Sequence, residues 1–371
     1  MSKEKLTIGL VRRGYSATGG AEAYLQRLAE GIVDLGHDVR LFTTPEWSTS
    51  AWPFGEITQL RARSAIGFAN ELNKLRPETR CDVVMSLERV WRCHVYRAGD
   101  GVHQAWLNRR RQFEPAWQRF ARRFNRKHND ILRLEKSLLD DRNADRVIAN
   151  SQMVKDEIVD LYNYRRDQID IVRNGMPLDQ FRFDFARRER ARVDLKLQRD
   201  EIALLFVGTG WERKGLRFAI DAIERCQDLK LRLLVAGRGS PRGYKSSRVQ
   251  FLGEVVDLVP IYAAADIFIL PTIYDPFSNA CLEALASGLP VITTRSNGFS
   301  EIIEDGVHGS IVDPANDVEA LRKAILFWSE EARRSSARST TTQRAAQFGI
   351  AKNVEQTLAI LLQVAASAAS T

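Results

Sequence analysis

Two adjacent cations, Arg213 and Lys214, follow a glycine-rich turn that comes directly after a short apolar run. Arginine offers a planar fork that fits phosphate oxygens, and lysine offers a compact, mobile charge. We place the pair at the start of a helix, where an unpaired positive charge opposes the helix dipole and a bound anion relieves the conflict. The pair is therefore a candidate for neutralising a departing diphosphate. The alternative is a solvated surface pair.

Two carboxylates, Asp275 and Glu283, form a second candidate group. Asp275 falls in a loop after a predicted strand, and Glu283 lies eight positions on, inside the next predicted helix. Carboxylates accept hydrogen bonds from neutral hydroxyl groups, so the pair suits a sugar and a ribose better than a phosphate. The intervening Phe277, Ser278 and Asn279 belong to the same candidate donor-binding segment. The alternative is an Asp favoured by the helix dipole and a solvated Glu.

A glycine turn near the N-terminus runs from Gly14 to Gly20 and contains the pair Gly19-Gly20. It follows the first predicted strand and opens the first predicted helix, so its amides and the helix dipole can receive an anion. The glycine spacing does not match the dinucleotide-binding fingerprint. Phosphate binding and simple packing both remain open for this turn.

Residues 106–136 interleave aromatic and basic side chains. Aromatic residues at 113, 117, 120 and 124 predict one apolar helical stripe flanked by cations, as in helices that lie on anionic lipid. RNA binding would also use arginines and aromatic rings, but no nucleic-acid module is visible. A buried helix with a solvated basic face is the other alternative. The candidate membrane contacts are Trp106, Phe113, Trp117, Arg119, Phe120, Arg122, Arg123, Phe124 and Arg126.

The strand pattern indicates two α/β domains that position these groups. Short β-branched runs alternate with segments of helical period, which predicts buried parallel strands in doubly wound sheets. We predict domains at 1–175 and 176–350, with an arginine-rich linker at 182–200, and a C-terminal helix at 351–371 that packs back on the first domain. The predicted strands are 7–11, 39–43, 82–86, 147–149, 169–172, 203–207, 231–236, 249–252, 267–270, 291–294 and 311–312.

The bulk composition agrees with a two-domain protein of 371 residues. No run of about 18 apolar residues offers a membrane span, and the N-terminus has no room for a signal peptide, so we expect a cytoplasmic protein. The four cysteines lack metal-ligand spacing, and we interpret them as structural thiols. The net charge of +8 predicts an anionic partner without identifying it.

Taken together, these motifs resemble those of the family 4 glycosyltransferases in their order and approximate separation, over nearly the whole chain. The resemblance implies the GT-B fold, in which two Rossmann-like domains face a cleft. It implies that Gly19 and Gly20 meet the donor phosphate and that Arg213 and Lys214 hold the diphosphate.

By the same resemblance, Glu283 binds the ribose hydroxyl groups and Asp275 contacts the transferred sugar, at a position where the family usually has Glu. The segment 96–103 resembles the strand-end loop of the family's lipopolysaccharide-core glucosyltransferases, which add glucose to an inner-core heptose. Asp100 is there the candidate that faces the acceptor, and His103 is the alternative. The implied catalytic group is therefore Asp100, Asp275, Arg213 and Lys214.

The resemblance implies transfer of a hexose with retention of configuration, from UDP-glucose as the first candidate donor, with GDP and other hexoses open. The departing phosphate itself would take the acceptor proton. The sequence has no Asp-x-Asp pair for a metal-bound diphosphate, so we expect neither metal nor cofactor. The expected partners are a nucleotide sugar, a lipid-linked saccharide acceptor and the anionic inner membrane surface, without nucleic acid.

Three alternatives remain open because fold does not fix reaction. The chain could be a family 4 enzyme with another donor or acceptor, or an epimerase or phosphorylase of the same fold. It could also be a non-catalytic relative that binds membrane or nucleic acid.

Overall fold

The computed structural model describes residues 5–15, 20–115, 117 and 125–368. The chain divides into two compact units, one formed by Met1–Gly175 with Ile350–Thr371 and the other by Met176–Gly349. Each unit is built on one parallel β-sheet with helices between its strands. The predicted fold class, two Rossmann-like doubly wound α/β domains, is confirmed.

The sheet of the first unit has seven parallel strands in the order β3-β2-β1-β4-β5-β6-β7. The chain reverses direction across the sheet between β1 and β4, the topological switch point beyond which open α/β sheets bind ligands. The strands are β1 Thr7–Val11, β2 Asp38–Thr43, β3 Gly55–Gln59, β4 Val83–Ser86, β5 Cys93–Ala98, β6 Ala144–Ala149 and β7 Ile169–Ile171. Five of them were predicted, and β3 and β5 were not.

Helices α1 to α5 belong to this first unit. Leu25, Leu28 and Ile32 recur on one face of α1 and are fully buried against the sheet. The helices are α1 Gly20–Asp34, α2 Ala65–Leu75, α3 His103–Arg110, α4 Arg126–Leu139 and α5 Gln152–Tyr162.

The sheet of the second unit has six parallel strands in the order β10-β9-β8-β11-β12-β13, with its switch point between β8 and β11. The strands are β8 Ile202–Val207, β9 Leu231–Ala236, β10 Val249–Gly253, β11 Ile267–Leu270, β12 Val291–Thr294 and β13 Gly309–Val312. All six were predicted within two residues at each end. The helices are α6 Phe185–Asp194, α7 Trp211–Lys214, α8 Leu216–Glu224, α9 Val259–Ala264, α10 Asn279–Ala286, α11 Val318–Trp328 and α12 Glu331–Ala345.

The arginine-rich stretch at 182–200 was predicted to be a linker. That prediction is wrong, because the stretch contains α6. Arg188 and Arg192 both pair with Asp266, at 2.6 and 3.1 Å, and Arg192 also donates to the carbonyl of Glu201. These buried ion pairs fix α6 to the second unit because a desolvated charge needs a partner.

The last helix, α13 Ile350–Ala368, joins the hydrophobic core of the first unit. Its Val354, Leu358 and Leu361 are buried in the same cluster as Leu25 and Leu28 of α1. The hydroxyl of Tyr24 on α1 donates to Asn353 at 3.0 Å. The C-terminal helix therefore contributes to the core of the unit that carries the N-terminal strands.

Candidate functional site

The two cations lie beyond the carboxyl end of β8. Arg213 and Lys214 form the last turn of the short helix α7, and only Gly215 separates them from α8. The pair therefore directly precedes the start of α8, where the sequence placed it, and it also ends the separate short helix α7, which the sequence did not predict. Gly215 has φ +78°, and a Cβ atom there would lie 1.9 Å from the carbonyl oxygen of Pro271. This close approach requires glycine and sets the cations against the chain that leaves β11.

Lys214 forms a short ion pair with Asp275, and both side chains are largely shielded from solvent, at 12% and 7% exposure. Arg213 donates from Nη1 to the carbonyl of Tyr274 at 2.9 Å. The expectation of unpaired cations is thus wrong for Lys214, whose charge is compensated by Asp275. The structure brings together three of the predicted residues, Arg213, Lys214 and Asp275, at the carboxyl ends of the neighbouring strands β8 and β11.

Buried threonine hydroxyl groups hold the loop that carries Asp275. Thr272 lies within hydrogen-bonding distance of the carbonyls of Arg213 and Tyr274, at 3.0 and 3.1 Å. Thr294, at the end of β12, donates to the carbonyl of Thr272 at 2.6 Å. Both threonines are fully buried. They fix the cation turn and the carboxylate loop to each other without adding charge.

Asn297 connects the same loop to α10. Its Oδ1 accepts from the amide of Ser278 at 3.2 Å, and its Nδ2 donates to Thr293 Oγ1 at 3.0 Å. Asn297 is fully buried and saturates polar groups that would otherwise be costly to bury. The sequence interpretation missed Asn297 and the threonines, although polar residues at the carboxyl end of β12 were the available signal.

The residues between the two carboxylates shape the start of α10. Ser278 is its N-cap and accepts from the amide of Cys281 at 3.4 Å. Phe277 is buried and packs edge-on against Phe299, with ring centroids 6.0 Å apart. Asn279 is the half-buried first residue of the helix. Two of the three predicted donor contacts, Phe277 and Ser278, thus have a structural role.

Glu283 is half-buried on α10 and accepts a hydrogen bond from the Tyr262 hydroxyl at 2.8 Å. Tyr262 is fully buried, with its ring against Phe181 and Phe268. Burial, together with the Glu283 carboxylate, raises the pKa of Tyr262 well above its usual value. The hydroxyl therefore stays protonated and orients one oxygen of Glu283.

Asp100 lies in the loop after β5 of the first unit, with 54% of its side chain exposed. Arg12, which follows β1, is 3.5 Å from Asp100 through Nη1 and 3.1 Å from both Glu22 and Glu88. Burial opposes ionisation of Arg12, but Glu88, Asp100 and Glu22 outweigh it and raise its pKa. Arg12 therefore stays positively charged and holds Asp100 near the carboxyl end of β1, at the switch point of the sheet.

A second ionic node, centred on the buried Glu135 of α4, anchors the same loop. Glu135 accepts from Arg89 Nε at 2.7 Å, from the His103 amide at 2.7 Å and from the Tyr162 hydroxyl at 2.6 Å. Arg89 in turn donates to the carbonyl of Gly101 at 2.6 Å. The start of α3 and the loop before it are thus fixed by a carboxylate that no local pattern marks.

His103, the alternative acceptor-side residue, contacts another histidine. Its Nε2 lies 3.0 Å from Nδ1 of His128. Burial, with the nearby Arg89, lowers the pKa of His103 to about 4. The ring is therefore neutral near pH 7 and is not a source of positive charge for a ligand.

Of the glycine pair, Gly20 is the exposed first residue of α1, and Gly19 lies outside the described residues. The amide of Gly14 in the same turn donates to Thr44 Oγ1 at 2.9 Å. The structure thus leaves the proposed phosphate contact of this turn as a prediction.

The aromatic and basic segment is not one continuous helix. Trp106 lies on α3, with the guanidinium of Arg110 5.6 Å from its ring centroid. Phe113 ends a 3₁₀ turn, and the extended backbone of Glu114 interrupts the predicted stripe before Trp117, which is 70% exposed. Arg126 is the exposed first residue of α4. Arg119, Phe120, Arg122, Arg123 and Phe124 lie outside the described residues.

Two further expectations concern membranes and thiols. Among helices in the described ranges, none is long and apolar enough to cross a membrane. All four cysteines are free thiols. Burial raises the pKa of Cys81 to about 11 and that of Cys281 to about 12, so both are poor nucleophiles near neutral pH.

Both halves of the chain match family models. Residues 18–180 match Glycosyltransferase Family 4, and residues 201–330 match Glycosyl transferases group 1. A D-inositol 3-phosphate glycosyltransferase of Catenulispora acidiphila is 31% identical over 242 residues, which is 58% of this chain and 57% of the relative. The lipopolysaccharide core biosynthesis glycosyltransferase LpsE of Rhizobium meliloti is 30% identical over 191 residues, covering 50% and 54%. The chain spans about half the length of the curated relatives it matches.

Solved structures are similar over almost the entire chain. WaaG, a glycosyltransferase involved in lipopolysaccharide biosynthesis, aligns with a TM-score of 0.80 at 20% identity, covering 96% of this chain and 99% of WaaG. Anabaena HepE in complex with UDP-glucose aligns with a TM-score of 0.72 at 18% identity, covering 99% and 100%. At these identities the similarity establishes the fold.

Proposed function

Because the chain belongs to the family 4 glycosyltransferases, with their GT-B fold, we propose that it transfers a hexose from a nucleotide sugar to a hydroxyl group of a lipid-linked saccharide. Glucose from UDP-glucose is the proposed donor group, and an inner-core heptose of lipopolysaccharide or a similar glycolipid is the proposed acceptor. The convergence of Arg213, Lys214 and Asp275 beyond β8 and β11 carries this proposal.

On the donor side, Arg213 and Lys214 bind the diphosphate, and Glu283 binds the ribose hydroxyl groups. Diphosphate binding exchanges the Lys214–Asp275 pair for a Lys214–phosphate contact and frees Asp275 to accept from a sugar hydroxyl. Two fixed cations stabilise the negative charge that develops on the leaving phosphate. We therefore expect turnover without a metal ion.

On the acceptor side, Asp100 is proposed to orient the attacking hydroxyl group. Arg12 and the Glu135 node hold its loop in place before any ligand binds, which lowers the entropy cost of positioning the acceptor. Attack from the face of the departing phosphate would retain configuration, and that phosphate would accept the hydroxyl proton.

The donor is tested by thermal shift with UDP-glucose, UDP-galactose, GDP-mannose and free UDP. A ligand at 100 times its Kd stabilises a protein by about 2.7 kcal/mol, which is readily measured. Transfer to a glycolipid extract with and without EDTA, followed by NMR of the product anomer, then tests metal independence and retention. An inverted product, or complete loss of turnover in EDTA, would contradict the proposed chemistry.

A second acceptor class, an inositol phosphate, is favoured by the relatives named D-inositol 3-phosphate glycosyltransferases. The two acceptor classes are distinguished by incubating the protein and its donor with either inositol 3-phosphate or a de-acylated glycolipid and measuring the glycosylated product. If only inositol 3-phosphate is glycosylated, the glycolipid is not the acceptor and the inositol phosphate takes its place in the proposal.

Membrane association is proposed for the segment 106–136, at the inner membrane surface. The strongly exposed Trp117 supports an interfacial contact. Several cations near an anionic surface contribute roughly 1 kcal/mol each, which gives reversible, salt-sensitive binding. We expect flotation with anionic but not zwitterionic liposomes, and loss of flotation when Arg119, Arg122, Arg123 and Arg126 are replaced by Gln. Equal flotation with both lipids, or flotation of the variant, would rule out the electrostatic contact.

A further inference from the structure

Three loops at the carboxyl edge of the first sheet are bound to one another. The amide of Gly14, after β1, donates to Thr44 after β2, and the indole of Trp47 donates to the carbonyl of Gly14. Gln59, at the end of β3, donates to the carbonyl of Trp47 at 2.6 Å. These side-chain hydrogen bonds make the surface beyond β1, β2 and β3 a preformed platform.

A cavity of about 580 Å³ opens on this platform, lined by Pro45, Glu46, Arg61, Ala62 and Arg63. We call it the Arg61 pocket. Arg61 and Arg63 are exposed, and neither forms a hydrogen bond or ion pair with another described residue. Two guanidinium groups therefore meet one cavity without a direct ion pair to a described carboxylate.

Glu46 contributes a single carboxylate to the same cavity. A hydrogen bond from Thr44, its own backbone and the charge of Arg13 lower the pKa of Glu46, so it is ionised at neutral pH. One carboxylate cannot balance two arginines, but it can accept a hydrogen bond from a hydroxyl group. The pocket thus offers binding groups for an anion and for a neutral polyol side by side.

An aromatic pair, Tyr15 and Trp47, belongs to the same platform. Tyr15 is 37% exposed, and its ring lies against the buried Trp47 with centroids 4.8 Å apart. Apolar rings with a few placed polar groups are typical of small-molecule sites. An exposed, supported ring on the platform fits the apolar face of a sugar.

We propose that the Arg61 pocket binds an anionic group, a phosphate ester or a carboxylate, on the acceptor saccharide. Planar guanidinium groups bind both of these anions in a bidentate geometry. The proposal rests on the proposed glycosyl transfer and deepens it by defining the acceptor. Strands β3 and β5 are four spacings apart in the sheet, which places the pocket roughly 19 Å from the Asp100 loop. The anionic group therefore sits on a different sugar unit from the reacting hydroxyl.

The first test uses calorimetry with mannose 6-phosphate, glucuronate and mannose as probes. Wild type should bind both anionic sugars at least tenfold more tightly than mannose, and R61Q/R63Q should lose that preference. The matched control is R80Q/R92Q, which removes two exposed arginines at the amino ends of β4 and β5, the opposite edge of the sheet. This control should keep the preference. A preference for only one of the two anions would identify the source of the charge.

UDP binding is measured on the same samples to separate the two proposals. If wild type does not bind a nucleotide sugar, the proposed function fails. If wild type and R61Q/R63Q bind UDP equally but the variant keeps its preference for anionic sugars, the Arg61 pocket is wrong while the function stands. With a working glycolipid acceptor, R61Q/R63Q should raise the acceptor KM at least tenfold and leave the donor KM unchanged. An unchanged acceptor KM would also overturn the proposal.

Discussion

The loops after β11 and β12 hold their functional side chains by neutral hydrogen bonds, whereas the loop after β5 is held by ion pairs. In the second unit, Thr272, Thr294 and Asn297 bind backbone groups, and the Lys214–Asp275 pair is left as the charged centre. In the first unit, Arg12 and Glu135 carry charge themselves and hold Asp100 and His103 from outside.

This difference separates two ways of preparing a site for a ligand. In the proposed donor site Lys214 is already neutralised by Asp275, so a diphosphate would have to compete with Asp275 and would release that carboxylate. In the proposed acceptor site Asp100 is half-exposed and already oriented by Arg12, so an acceptor hydroxyl group would only displace water. We expect donor binding to rearrange side chains and acceptor binding to leave its site almost unchanged.

The largest effect is expected when both donor-side cations are removed. R213A/K214A should lower kcat by more than 10³, because each donor to a developing oxyanion is worth about 10²–10³ in rate. R217A, which removes an exposed arginine on α8, is the matched control and should stay within about twofold of wild type. A double variant with near-wild-type kcat would remove the diphosphate assignment.

The ion pair itself is tested by stability rather than by rate. K214M leaves the buried Asp275 without a partner, which costs about 3 kcal/mol in the free energy of unfolding. K214M/D275N removes both charges and should recover most of that loss while remaining inactive. Urea unfolding of the two variants checks this. If K214M is as stable as wild type, then Asp275 does not depend on Lys214 and the comparison of the two sites fails.

The sequence predicts the charged groups of the second unit better than the contacts that hold the Asp100 loop of the first unit. Arg213, Lys214 and Asp275 lie in short segments with strong glycine and strand signals, so their convergence could be expected from adjacent strand ends. Arg12 and Glu135 act on the loop around Asp100 from positions far away in the chain. The spacing of residues within a short segment cannot predict contacts between residues so far apart in the chain.

The missed strands have similar causes. β3, Gly55–Gln59, is an edge strand with no fully buried residue, so it lacks an apolar run. β5 contains Arg97, a charged residue that is nevertheless buried because it stacks on Tyr24 at 4.3 Å and donates to Asn174. The apolar helical stripe expected to begin at Phe113 is interrupted at Glu114, where the backbone is extended. Tertiary contacts override the local pattern in each case.

A smaller effect is expected from the support of Glu283. E283A should raise the Kd for UDP roughly 10- to 100-fold, and Y262F about 3- to 10-fold, because Y262F only removes one neutral hydrogen bond to the carboxylate. Neither variant should change the Kd for 2′,3′-dideoxy-UDP, which lacks the hydroxyl groups that Glu283 is proposed to bind. Y164F, which removes a buried tyrosine hydroxyl in the first unit, is the matched control. Equal losses for UDP and the dideoxy analogue would mean that Tyr262 acts on folding alone.

The smallest effect concerns the acceptor-side histidine and the pH. The pKa of His103 is about 4 in the folded protein, below the value of about 6.5 in an unfolded chain. Between these values the unfolded state binds a proton that the folded state does not, so stability falls as the pH decreases through this window. From pH 7 to pH 5.5 the loss amounts to about 1 kcal/mol. H103N lacks this proton and should show a flatter dependence of unfolding free energy on pH, while the other ionisable groups contribute equally to both proteins. The facing groups Arg89, Lys127 and His128 oppose the imidazolium and Glu135 favours it. If wild type and H103N lose stability in parallel, then His103 is solvated and titrates normally, and the first unit does not hold this end of its loop by burial.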